Sequence, residues 1–244
     1  SDVYKRQERL ALFIFTWGMI SHVVVDAVFH PLINYLTGSY YEPDLKQQSI
    51  NRGNHREFEV YLDWWCLARK RSPKESYIEI PAKLIGTRVN LIADMLAGTT
   101  DLSALLWIQS FNDISSMQKK FHSNKYGILA KMAAVVMPKK YAEFEPLFAF
   151  GRRKAPMSFD SPFKYRCPVT GQERNESISD LYGSAVTKLS AIYKAMRGFL
   201  GTNDDGFLDV LNGIPGPSLD TGLVATASSE LKYFSKEDPQ NLFY

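Results

Sequence analysis

An apolar run over residues 10–20 leads directly into three ionisable side chains at four-residue intervals, His22, Asp26 and His30. Four residues advance an α-helix by about 400°, so the three groups fall on one face of a single helix. Burying ionisable groups is costly unless they are paired or bound to a metal ion. The fold must therefore give this apolar helix a polar partner, or a metal, along one stripe.

The same pattern bears on whether the helix crosses a membrane. Its uninterrupted apolar run covers about 11 residues, whereas a transmembrane helix needs about 20, and the next turns add His22 and Asp26. We therefore predict a buried core helix from about Gln7 to Phe29 and no transmembrane segment. Pro31 is expected to end or kink that helix, because proline lacks a backbone N–H and its ring clashes with the preceding turn.

A second pair with the same spacing, His55 and Glu59, lies in the segment NHREFEVYLDWW. Asn54, with Glu57 three residues later, resembles a capping box, so a helix is predicted to begin there, after a loop rich in Gly, Ser, Tyr and Pro. Three of the four histidines thus have an acidic residue at helical spacing. The fourth, His122, has none and is predicted to lie on the surface.

The remaining chain is predicted to be mainly helical. Hydrophobic periodicity indicates helices over residues 81–98, 101–121, 126–136 and 177–200. Only residues 75–80, ESYIEI, alternate like a β-strand, and residues 152–175 predict a long loop.

We expect three parts along the chain. Residues 1–6 resemble a translated sequencing adapter and are expected to be foreign. Residues 7–200 are expected to form the helical domain, with its natural start missing. Residues 201–244 are expected to be irregular and acidic. The two cysteines, Cys66 and Cys167, give neither a disulfide framework nor a zinc-finger spacing, and whether they pair is left open.

Charge is unevenly distributed along the sequence. Residues 117–154 hold nine Lys and Arg against two Glu, whereas residues 203–244 hold seven acids against two Lys. A basic stretch of this kind either meets phosphate or an anionic surface, or is simply a solvated face.

The two pairs together supply five candidate metal ligands, His22, Asp26, His30, His55 and Glu59. Imidazole nitrogens and carboxylate oxygens are the ligands of catalytic zinc, which keeps an open position for water. The alternative is a pair of buried hydrogen-bonded networks that only specify packing. Two such pairs on neighbouring helices favour a metal.

The segments GMISHVVVDAVFHPLINYLTG and NHREFEVYLD resemble the bacterial zinc-dependent phospholipase C family, in particular members reading H-x3-D-x3-H-P followed by H-x3-E-x3-D. The similarity covers roughly residues 10–66. It implies an all-α, multi-helix fold, shared with single-strand nucleases, and a cluster of up to three zinc ions. The further ligands of the family lie upstream of Gln7 and are not in this chain.

The resemblance assigns a role to each matched residue. His22 and Asp26 would bind one zinc, with Asp26 bridging two ions, and His30, His55 and Glu59 would hold the remaining zinc. The chain departs from the best-known members, which read D-x3-P-x-H, because His30 precedes the proline here. No residue is assigned as the general base.

The implied activity is hydrolysis of a glycerophospholipid to diacylglycerol and a phosphorylated head group, with no nucleic acid as partner. Two alternatives stay open: a single-strand nuclease of the same fold, with Tyr40, Tyr41 or Trp64 stacking on bases, and a non-catalytic helical binding or structural protein. Head-group specificity, oligomeric state, and a cytoplasmic or secreted location are also left open.

Overall fold

The structure is a computed structural model that describes residues 2–69, 88–121, 123–137, 141, 143–149, 157–197, 216–237 and 239–242. Helices hold most of these residues, and the only sheet among them has two strands. The predicted all-α class is confirmed at this coarse level. The strand predicted over residues 75–80 and the surface position predicted for His122 lie outside the described residues.

The helices are α1 (Asp2–Thr37), α2 (Leu45–Ala68), α3 (Val89–Thr99), α4 (Ala104–Phe121), α5 (Asn124–Val136) and α6 (Ile178–Arg197). Strands β1 (Phe163–Arg166) and β2 (Glu173–Glu176) form an antiparallel hairpin. Contacts divide the chain into two compact units. Unit 1 comprises residues 1–19 and 59–154, and unit 2 comprises residues 20–58 and 155–244.

Helix α1 continues through Pro31 to Thr37, so the predicted end of the helix before the proline is wrong. Proline cannot donate a hydrogen bond to the carbonyl four residues earlier, that of Ala27. Gly222 packs closely against this part of α1, since a Cβ added to Gly222 would collide with the Ala27 carbonyl oxygen. The turn after the proline is deeply buried, with Leu32 fully inaccessible. Burial of that turn holds the helix together through the proline.

The two halves of α1 differ in burial. Residues 27–29 and 31–34 are buried, whereas Leu10 and Met19 in the first half are exposed. The prediction of a core helix therefore holds for the second half only. Among the described residues, one helix, Gln7–Thr37, is long and apolar enough to cross a membrane. Core helices of soluble proteins and signal sequences meet the same criterion, so the absence of a transmembrane segment stays a prediction.

Helix α2 begins at Leu45, nine residues before the predicted start at Asn54. Its cap is Asp44, whose Oδ1 accepts a hydrogen bond of 3.0 Å from the Lys46 N–H. The predicted capping box at Asn54 is wrong because that residue lies inside the helix. The first turns of α2 are polar and solvent-facing, so they lack the apolar periodicity from which a helix was predicted.

Unit 2 has an aromatic core around the hairpin, within the stretch predicted to be a loop. The rings of Phe58 and Phe159 lie 4.9 Å apart, and Phe163 and Tyr165 of β1 face inward. The loop prediction for residues 152–175 is wrong here, because strands of only four residues carry too short an alternation to stand out. The described residues after 215 form one isolated β-bridge and two short 3-10 turns.

Among its described residues, unit 1 has fewer buried side chains than unit 2. Ile92 and Ala93 of α3 are inaccessible, and Phe15 of α1 contacts Phe111 of α4 edge to face at 6.2 Å. Helix α4 has no buried residue. In the structure, neither Cys66 in this unit nor Cys167 in unit 2 forms a disulfide.

Candidate metal centre

Three of the five predicted ligands come together in the structure. His30 of α1 meets His55 and Glu59 of α2, and their ligand atoms all lie within 4.8 Å of one another. Glu59 follows His55 by one turn of α2, so the helix itself fixes their spacing. A four-coordinate zinc with bonds of about 2.0–2.2 Å needs ligand atoms roughly 3.3 Å apart. The upper limit of 4.8 Å between these ligand atoms exceeds that spacing by about 1.5 Å.

The surroundings of the cluster suit a site with one open side. His55 is 6% exposed, whereas His30 and Glu59 are half-buried. The imidazole rings of His30 and His55 pack edge to face with their centroids 5.0 Å apart. Three protein ligands with one accessible edge leave a fourth position for water or substrate, as in catalytic zinc sites.

A backbone carbonyl fixes the protonation of His30. Its Nδ1 lies 2.8 Å from the carbonyl oxygen of Leu219. Because a carbonyl oxygen only accepts hydrogen bonds, the proton of a neutral His30 must sit on Nδ1, and Nε2 then carries the lone pair. Histidine ligands of metals almost always make such a hydrogen bond from the other nitrogen, which also holds the ring in place.

The segment that carries Leu219 is itself attached to α1. Asn34, one turn beyond His30, donates from Nδ2 to the Asp220 carbonyl at 2.7 Å. Thr221 is fully buried, and Gly222 sits against Ala27 with a φ of 68°. One face of α1 therefore binds the C-terminal segment at three successive turns. No sequence pattern assigned a role to this segment, because its contribution comes from backbone atoms.

Tyr40 and two arginines stand beside His55. The Tyr40 ring lies 5.3 Å from the His55 ring, and the Arg52 guanidinium lies 4.8 Å above the Tyr40 ring. Arg56 Nη2 donates to the Tyr40 hydroxyl at 3.3 Å. Arg52, His55, Arg56 and Glu59 share one face of α2, since they are spaced by three and four residues. The sequence had singled out Tyr40 only as a possible base-stacking ring, and one face of that ring is covered by Arg52.

His22 and Asp26 form a separate pair. His22 Nε2 lies 3.3 Å from Asp26 Oδ2, one turn apart on α1. The His22 side chain is 63% exposed, against 17% for Asp26, so the prediction that the whole stripe is buried is wrong at His22. Within the described ranges, the one group of three or more candidate ligands is His30, His55 and Glu59. Asp26 and His22 are not part of it.

Two nearby groups have shifted pKa values. Asp63 keeps part of its surface in water, but loss of hydration of its carboxyl group, followed by repulsion from Glu59, raises its pKa to about 6. Loss of hydration and then the charge of Asp220 raise the pKa of Tyr41. In both groups loss of hydration is the larger cause, and a neighbouring negative charge adds to it.

A cavity of about 450 Å³ lies in unit 2, between the loop after α1 and the first turns of α2. Gly38, Asn51 and Phe234 are among the residues that line it. His30, His55 and Glu59 are not among the residues that line this cavity.

No protein-family model, no curated protein and no solved structure matches the chain. The cluster therefore has to be interpreted from its own chemistry.

Proposed function

We propose that the protein is a zinc-dependent phosphodiester hydrolase, a phospholipase C acting on glycerophospholipids. The observation that carries the proposal is the convergence of His30, His55 and Glu59, with the Leu219 carbonyl fixing the proton of His30 on Nδ1. This donor set is that of a catalytic zinc site. The motif that resembles the zinc-dependent phospholipase C family contains these same three residues, and we extend the proposal to the fold of that family.

In this proposal, some of the chain's residues bind the metal and others attract the substrate. When bound, zinc supplies Lewis acidity toward a phosphoryl oxygen and lowers the pKa of a water molecule to about 7. His30 and His55 offer neutral nitrogen ligands, and Glu59 offers one negative charge. Arg52 and Arg56 stand on the same helix face and carry positive charge toward an anionic phosphate diester.

His22 and Asp26 enter the proposal as part of a further zinc site. The pair has the ligand types that zinc prefers, but two residues do not complete a site of three or four ligands. We therefore expect this chain to hold about one zinc ion tightly, at His30, His55 and Glu59.

The test is the zinc content and hydrolytic activity of the purified chain. We expect about one zinc per chain by elemental analysis, falling to background in His55→Ala and Glu59→Gln, because each variant removes one of three ligands. Glu173→Gln, at an exposed hairpin acid paired with Arg166 at 3.0 Å, is the matched control and should keep its zinc. Full zinc in both cluster variants would exclude this site.

Substrate assays separate the enzyme classes. Release of a phosphorylated head group from phosphatidylcholine or phosphatidylglycerol vesicles supports the phospholipase. Cleavage of single-stranded DNA without head-group release would assign the cluster to a nuclease instead. We expect hydrolysis by this chain to be weak or absent, because His22 and Asp26 leave a further zinc site incomplete.

A further inference from the structure

The outward face of α5 is apolar, the reverse of the usual arrangement in a water-soluble helix. Ile128, Leu129, Met132, Val135 and Val136 form one stripe at helical spacing, and all five are exposed, Val135 by 82% and Val136 by 75%. We call these five residues the α5 apolar face. A helix at a protein surface normally turns its apolar stripe toward the core.

The orientation of α5 is fixed by the small residues on its other side. Gly127 is buried, and an added Cβ would lie 2.8 Å from the carbonyl oxygen of Phe148. Ala130 and Ala134 follow Gly127 at the spacing of one helix face. The helix therefore packs inward through small residues, and the α5 apolar face must point outward.

Lysines surround the α5 apolar face. Lys125 and Lys131 lie on α5, and Lys119 and Lys120 end α4 just before it; all four are exposed. The sequence has no acidic residue between Asp113 and Glu143. Exposed apolar side chains beside lysines are typical of helices that lie in the interface of an anionic membrane.

We propose that the α5 apolar face docks on an anionic phospholipid surface, with its side chains at the head-group level and the lysines on the lipid phosphates. A second copy of the chain fits the same face less well, because a symmetric contact would bring the two sets of lysines together. A nucleic acid would use the lysines but leave the valines in water. The inference gives the proposed phospholipase access to its substrate, but it rests on α5 and not on the metal cluster.

Vesicle sedimentation of the full chain tests the proposal. We expect binding to vesicles of phosphatidylcholine with phosphatidylglycerol, weak binding to phosphatidylcholine alone, and loss of binding as salt rises. Val135→Asp should weaken binding roughly tenfold or more, since it removes apolar area and adds a repelled charge. Lys125→Gln and Lys131→Gln should each weaken it about fivefold, the effect of one charge near an anionic surface.

Val186→Asp is the matched control, because Val186 is an exposed valine on α6. It should bind vesicles like the unmodified chain. Circular dichroism and thermal unfolding of Val135→Asp check that the fold is kept, and Val135→Ser is a second variant without the added charge. Val135 and Val186 both lie on the exposed surface, where substitutions have small effects on stability.

The outcomes separate this proposal from the proposed function. Glu59→Gln should lose zinc and keep vesicle binding, so failure of the metal site leaves the lipid result intact. Unchanged binding in Val135→Asp and Val135→Ser, or binding indifferent to anionic lipid and salt, overturns the proposal. A change in the native mass of Val135→Asp with no change in vesicle binding would assign the face to self-association instead.

Discussion

At the scale of single residues, the candidate centre combines side chains that a sequence pattern predicts with a backbone atom that no pattern predicts. His55 and Glu59 were predictable because side chains four apart share a helix face. The Leu219 carbonyl that orients His30 was not predictable, because every residue has a carbonyl and this one lies 189 positions away. The tight approach of Gly222 to Ala27 holds that carbonyl in place.

Gly222→Ala tests this support. The φ of 68° disfavours alanine, and the added Cβ would collide with the Ala27 carbonyl oxygen. The segment must shift, so we expect zinc affinity to fall by about 10–100-fold, as when the partner of a histidine ligand is lost. Gly216→Ala is the control, because an added Cβ there meets no atom within 4 Å. Equal zinc affinity in the two variants, by competition with a chromophoric chelator, would show that the segment does not position His30.

At the scale of elements, the sequence predicted helices well where apolar periodicity or a cap was present. Helix α6 was predicted over residues 177–200 and is described over Ile178–Arg197. Its start is marked by a reciprocal cap, in which Ser177 Oγ accepts from the Asp180 N–H at 3.1 Å and Asp180 Oδ2 accepts from the Ser177 N–H at 2.8 Å. The start of α2 was missed because its first turns are polar, so its N-terminal cap had no apolar stripe after it.

Ser177→Ala should lower the free energy of unfolding by about 1 kcal/mol, the usual effect of losing a side-chain cap. Hydrogen bonds from Ser177 lower the pKa of Asp180. The stability gained from ionised Asp180 is thus present above its unfolded-state pKa and is lost as the pH falls through the lower, folded-state value. The difference between Ser177→Ala and the unmodified chain should therefore shrink in acid. Urea unfolding at neutral and acidic pH measures it, with Ser179→Ala on the exposed first turn as control.

At the scale of the whole molecule, contacts between segments far apart in sequence changed the structure that local sequence patterns predicted. Pro31 predicted a helix end, yet α1 continues because the turn beyond it is buried and the segment at Gly222 covers the Ala27 carbonyl. The same segment reaches His30, so the C-terminal region expected to be irregular contributes to the candidate centre. No pattern in the sequence links residues 219–222 to α1, since both the hydrogen bond and the close approach use backbone atoms.

These connections predict that zinc stabilises the folded chain as a whole. A ligand that binds only the folded state adds RT ln(1 + [L]/Kd), about 2.7 kcal/mol at a concentration of 100 Kd. The unfolded chain does not bring His30, from α1, to the His55 and Glu59 pair on α2, so the midpoint of thermal unfolding should rise with added zinc and fall back with a chelator. Glu59→Gln should remove most of that rise, whereas Glu173→Gln should retain it. If zinc stabilised both variants equally, the stabilising site would lie elsewhere in the chain, and the cluster of His30, His55 and Glu59 would be a packing arrangement of polar side chains.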